Sequence, residues 1–362
     1  MDRRHFLSLS TAALGAMFIP PAMSGQPGWL TGFGAADGAY GLARIGTDLS
    51  VTPVLQSPQR LHDVVLHPSR GEICAPLRRP GRRFYVIDAG GIAEARETLQ
   101  GRHFQGHGAY SADGTTLYLP ENDFEGERGM IGIYDALDGY GRLGEVPSGG
   151  IGPHAMLRHP DDDHLIIANG GLLTHPESGR AVLNRDTMTP NLSLMARDRG
   201  TIVDQLVLAS EYHLLSLRHM AVMPDGAVIV GAQDQDSRRR DMPLLIRWVP
   251  GREFTFFEAP PDGWGVFKAY MGSVSGDTGG RIVAATSPKG GVAGFWQANS
   301  GRFIGLVKAR DICGAAATGT PGEFLLTTGT GALHIVTASD TGVKIGRTVI
   351  SNTRFDNHCE RV

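Results

Sequence analysis

One phrase recurs along this chain: a His, Met or Cys, a short apolar run, a turn rich in Pro, Asp or Gly, and a second apolar run. "HDVVLHPSRGEICAPL" begins at His62, "HGAYSADGTTLYLPEND" at His107 and "HAMLRHPDDDHLIIANGG" at His154. "HMAVMPDGAVIVGAQDQD" follows at His219, "MGSVSGDTGGRIVAATSPKGG" at Met271 and "CGAAATGTPGEFLLTTGTG" at Cys313. A last start, "HCERV" at His358, runs out of chain. Successive starts lie 45, 47, 65, 52, 42 and 45 residues apart. A period of roughly 40–50 residues with paired short strands is that of propeller blades, four strands each. The one long step contains "THPESGRAVLNRDTM" (174–188), which reads as a loop inserted within a blade.

The N-terminus supplies what the seventh unit lacks. "GWLTGFGAADGAYGLARIG" (28–46) has strand–loop–strand patterning with no first strand before it, and "DNHCERV" is a first strand with nothing after it. The expectation is therefore an all-β, seven-bladed β-propeller whose last blade is closed by the C-terminal strand pairing with the N-terminal strands. Such closure removes free sheet edges. A pair of β-sandwiches is the rival, disfavoured because the period repeats so often. The 50 glycines follow no G-x-y period and suit a turn-rich β protein.

Residues 1–24 read as an export leader rather than as part of the fold, leaving 25–362 as a single propeller domain. "MDRRHFLSLSTAALGAMFIPPAMSG" places paired arginines before Phe-Leu, then an apolar stretch and small residues, as twin-arginine signals do. The run is short and broken by Pro20 and Pro21, so no membrane span is expected once the leader is removed. The expected location is the periplasm. Net charge is −3 with no basic cluster, which argues against nucleic acid. Three cysteines do not make a disulfide framework. Glycine runs such as 318–322 lack the strand-to-helix setting of a nucleotide loop, so no nucleotide cofactor is expected.

In a propeller the first strand of each blade lines the central channel, so equivalent starts form a ring. Here that ring is His62, His107, His154, His219, Met271, Cys313 and His358, all of them side chains able to bind a transition metal. Mixed imidazole, thioether and thiol donors favour copper. The loops between second and third strands rise on the same face, bringing Arg78, Arg79, Glu121, Asn122, Asp123, Asn169, Gln233, Asp234, Gln235, Asp236 and Lys289 to the mouth, with His103 and Arg218 at the rim. Carboxylates and carbonyls there are expected to orient the imidazoles.

No WD dipeptide or kelch signature is present. The leader, "PHAM" (153–156), "NGG" (169–171), "THPESGR" (174–180), "LSLRHMA" (215–221) and the closing "FDNHCERV" (355–362) resemble the bacterial family called domain of unknown function 1513. The resemblance covers essentially the whole mature chain. It implies an envelope protein linked to iron, with iron-uptake or imelysin-like proteins as partners, and it brings no established activity. Three functions follow in order: a monomeric periplasmic propeller holding copper or iron, a channel-mouth enzyme of lactonase or lyase type with His as general base, and a scaffold that docks proteins.

Overall fold

The computed structural model describes residues 27–362 except 36, 37, 92, 180, 237, 239 and 240. The leader expected over 1–24 lies outside the described residues. Seven antiparallel sheets stand in a ring as the blades of a β-propeller. The first blade is shared by the chain ends: Arg354–Arg361 lies innermost, followed outward by Gly28–Gly34, Tyr40–Gly46 and Val51–Ser57. The second blade runs outward from Val65–Leu66 to Ala93–Glu97. The third spans Arg102–Phe104 to Gly141–Pro147, the fourth Pro153–Arg158 to Thr201–Val207, and the fifth Leu215–Val222 to Thr255–Phe256. The sixth covers Ser273–Gly276 to Phe303–Lys308 and the seventh Ile312–Ala317 to Gly342–Ile350.

Alternation along the strands sends apolar side chains into the seams between blades, where both faces are covered. Leu30, Leu42 and Val54 of the first blade pack on Leu61, Ile73 and Ala75 of the second. Phe84 meets Phe104, Leu117 and Tyr134 at the next seam, and Met156, Leu165 and Ile167 meet Tyr118 and Ile131 at the one after. The largest cluster joins the fourth, fifth and sixth blades through Trp248, Phe267 and Trp296. Phe295 and Phe324 fill the sixth–seventh seam, and Trp29, Leu325 and Phe355 close the circle. The 65-residue step does contain an insertion: residues 170–190 connect the second and third strands of the fourth blade, and their described residues include two short 3-10 turns.

Closure is by hydrogen bonding as well as packing. Trp29 pairs with Arg361 and Gly34 with Arg354, and the Thr31 hydroxyl donates to the His358 carbonyl at 2.6 Å. Deleting Phe355–Val362 strips the first blade of its inner strand and exposes the edge of Gly28–Gly34. The expected outcome is loss of the cooperative thermal transition with self-association on gel filtration. A truncated chain that melts and elutes like the parent would contradict it.

Candidate functional site

The innermost ladder of each histidine-bearing blade is irregular at the histidine. In the fourth blade Pro153 pairs with Asn169 and Ala155 with Ala168, leaving His154 as a bulge. In the fifth, the register slips between Leu217 and Met220, across Arg218 and His219. In the first it slips opposite Asp356–His358. In the second and third blades the inner strand is interrupted outright, at 62–64 and at 105–108. Bulges of this kind bend a strand and re-aim a side chain. Here they turn five imidazoles onto one spot on the channel axis.

His62, His107, His154, His219 and His358 are all buried. Around the ring, neighbouring centroids lie 4.9 Å (His62–His107), 5.0 Å (His107–His154), 4.8 Å (His154–His219), 4.7 Å (His219–His358) and 4.6 Å (His358–His62) apart. Across the ring His107 and His358 are 4.5 Å apart and His62 and His219 6.2 Å apart, separations too short together for one plane, so the rings form a puckered knot. Two triads bring ring nitrogens within 4.8 Å of one another, His62–His107–His358 and His107–His154–His219, and His107 belongs to both.

Hydrogen bonding leaves this knot unsatisfied. Nδ1 of His62, Nε2 of His107, Nε2 of His154, both ring nitrogens of His219 and Nε2 of His358 are buried without a partner. Buried polar atoms are ordinarily paired, and each one left unmade costs about 1–3 kcal/mol. One member is oriented by protein: the His107 Nδ1–H donates to Asp63 at 2.7 Å, which fixes the tautomer with the Nε2 lone pair facing the knot. Asp63 N in turn donates to the Gly106 carbonyl at 3.1 Å. Gly106 has φ +101° and a Cβ there would stand 2.7 Å from His62, so glycine is required between the two histidines. Asp356, 2 % exposed, holds Arg60 at 2.5 Å and lies 3.8 Å from Nδ1 of His62.

Burial keeps four of the imidazoles neutral. It drives His62, His154 and His219 well below the ordinary histidine value, and the neighbouring histidines and Arg218 add repulsion. His358 is pushed down to about 4, again chiefly by burial. Burial alone would raise the Asp63 carboxyl, but His107 and His358 outweigh it and hold it below its usual range. Neutral imidazoles with unshared lone pairs converging on one point are what a transition metal requires of its ligands.

Two of the seven ring positions do not join the knot. Met271 is fully buried in the hydrophobic seam of the fourth to sixth blades, packed against Gly231. The Cys313 thiol, at an inner-strand bulge like the histidines, points instead to the carbonyls of Phe355 and Asp356 at 3.4 and 3.3 Å, within the seventh–first seam. Burial raises its pKa, so it stays a thiol. The donor set is therefore imidazole alone, and the soft-ligand argument for copper loses its basis.

The knot separates two vestibules. The larger, about 620 Å³, is lined by His62 and His154, by Arg78, Arg79, His103, Arg218, Gln233, Gln235 and Lys289 as expected, and also by Gln105, Thr174, His175 and Tyr270. Its roof is the insertion of the fourth blade, which Arg185 ties to the fifth by a 3.2 Å bond to the Gln235 carbonyl. The smaller, about 200 Å³, is lined by His107, His219 and His358 with Asp63, Ser273, Ser275 and Glu360. Six expected mouth residues lie elsewhere. Glu121 is buried against Arg142 and the Tyr134 hydroxyl, both at 2.7 Å, and Asp123 is held by Arg102 and Arg128 at 2.6 and 2.7 Å. Asn122 is paired in register with His103, Asn169 bonds Ser148, Asn191 and Ser193, and Asp234 caps the Asp236 amide. Glu121, Asp123, Asn169 and Asp234 sit at strand ends inside the blades, where they satisfy backbone and neighbouring side chains, whereas Oδ1 of Asn122 is buried without a partner and Asp236 pairs with Arg238 at 3.0 Å.

Because His62, His154, His219 and His358 are neutral when folded and ordinary when unfolded, acid favours unfolding, which takes up their protons. In metal-free protein their contribution is complete above about pH 6.5 and is lost as the pH falls toward 4. Urea unfolding should show that loss, with ~3 kcal/mol of it absent from His358→Gln. Identical pH profiles for the two proteins would refute the assignment.

A family model described as "Protein of unknown function (DUF1513)" matches residues 55–362. No curated protein matches the chain. Among solved structures, a chain of Kuenenia stuttgartiensis hydrazine synthase is similar at TM-score 0.61 and 11 % identity, covering 94 % of this chain and 99 % of its own. A chain of a mitotic checkpoint complex is similar at TM-score 0.57 and 16 % identity, with 80 % of each chain covered. At such identities the likeness is one of fold.

Proposed function

The chain belongs to the DUF1513 family, and from the site itself we propose that it is a transition-metal-binding propeller whose five channel histidines hold one ion, with His107 the indispensable ligand. The observation that carries this is the set of unpartnered nitrogens on five buried, mutually touching imidazoles. Only Nε2 of His107 is available, since Nδ1 is engaged by Asp63, so His107 serves one ion at a time although it lies in both triads. Neutral imidazole suits copper, iron, zinc and nickel alike, and copper binds tightest among the divalent ions. Copper or iron is the expected cargo, the second supported by the iron context that the family resemblance implies. The leader supports a periplasmic setting, where iron-uptake or imelysin-like proteins are the proposed partners.

A second reading is enzymatic, and the vestibule of about 620 Å³ open above His62 and His154 favours it. Its size falls in the range of small-molecule sites. A bound ion with free coordination positions would face that space and polarise a ligand's oxygen there.

Elemental analysis of the exported, untagged protein is the test. One equivalent of copper or iron is expected in the parent, absent from a folded His107→Ala variant. Asp63→Asn should keep the ion but weaken it 10- to 100-fold, about the cost of removing a group that orients a ligand. No metal in the parent, even after reconstitution, would reject the reading.

A further inference from the structure

The walls of the larger vestibule carry one sign of charge. Arg78, Arg79, Arg218 and Lys289 reach it from the second, fifth and sixth blades, and among the described residues no Asp or Glu lines it. The positions follow from the topology. Arg78 and Arg79 sit on the loop after Ile73–Pro76, Lys289 on the loop after Ile282–Ser287, and Arg218 in the bulge beside His219. Lys289 stands over the Tyr270 ring at 5.4 Å, a contact that steers its ammonium toward the cavity.

The same walls hold polar atoms with no partner. The Gln105 amide nitrogen and the Thr174 hydroxyl are buried and unpartnered, and each of these residues is only 3 % exposed. These two groups open on the same space as the four cations, where a ligand's acceptors would satisfy them. Cations walled by protein act in a lower dielectric than at an open surface, which strengthens their pull on an anion.

We propose that this vestibule binds a small, multiply charged oxyanion, held by Arg78, Arg79, Arg218 and Lys289 and reaching down to the His62–His154 edge of the knot. Carboxylate and phosphate oxygens both match guanidinium forks. The volume far exceeds the ~30 Å³ share of one water, so it suits an organic polyanion better than a bare inorganic ion. The anion's role as a co-ligand rests on the metal reading above. Its binding to the cationic walls does not.

The experiment is calorimetric titration of the full mature protein with citrate, with inorganic phosphate and with glycerol as a neutral control, each on metal-free and metal-loaded samples. Citrate or phosphate should bind the metal-free protein, glycerol should not, and the stronger of the two anions identifies the source of the oxygens. Arg218→Gln and the exposed-site variant Lys289→Gln should each weaken binding at least tenfold. Arg83→Gln, which removes the same charge from an outer strand paired to Glu97, should leave it unchanged. Anion binding in a protein that takes no metal would uphold this site while the metal reading fails. No binding in either sample, equal binding in all variants, or binding that needs the metal and ignores the cations would each overturn it.

Discussion

The pairing of Arg354–Arg361 with Gly28–Gly34 is the interaction on which the rest depends. It completes the first blade and fixes the ring, and it also carries His358 to the channel. With that strand in place the imidazole of His358 lies 4.6 Å from His62 and 4.5 Å from His107, though 296 and 251 residues separate them from it in sequence. Asp356 on the same strand binds Arg60 and approaches His62, so the seam between first and second blades is electrostatic at its inner end and apolar farther out. Ring closure and site assembly are one event. A chain that has not closed lacks the His62–His107–His358 triad.

A knot of neutral imidazoles is an unusual centre for a protein. Five hydrophobic side chains of similar size would pack there without any unmet hydrogen bond, and replacing buried polar groups by well-packed apolar ones is often neutral or stabilising. The structure instead supports the polar arrangement. Gly106 has the one residue type that leaves room for His62, and Asp63 is spent on orienting His107. Local ladder irregularity at every histidine sacrifices strand pairing for direction. Such costs concentrate where structure serves chemistry.

The architecture was legible because its signal is periodic: the recurring strand–turn–strand phrase and the incomplete units at both ends dictate seven blades and the manner of closure. The five histidines were legible because rotation makes equivalent positions neighbours. Met271 and Cys313 share that position and do not share its direction, since a bulge can turn a side chain either way and no spacing records which. Glu121 and Asp123 looked like mouth carboxylates, yet Arg142, Arg102 and Arg128 engage them within the third blade, a pairing visible only once the hairpins are folded. Asp63 was beside His62 in the sequence all along. Its partner is on the next blade, and that contact belongs to the tertiary structure.

Likeness to a hydrazine synthase chain and to a mitotic checkpoint chain shows how little the scaffold itself decides. What distinguishes this chain lies within a few residues of the axis. His62 and His154 border a large vestibule walled by cations, whereas His107, His219 and His358 border a small one that contains Asp63 and Glu360. The knot therefore divides the channel into chemically opposite halves. An ion held there would meet cationic walls on one side and carboxylate on the other, an asymmetry that a ring of equivalent blades cannot produce by symmetry. It arises from the sequence differences between blades: a fourth-blade insertion that roofs one side, and an acidic residue retained next to His62 alone on the other.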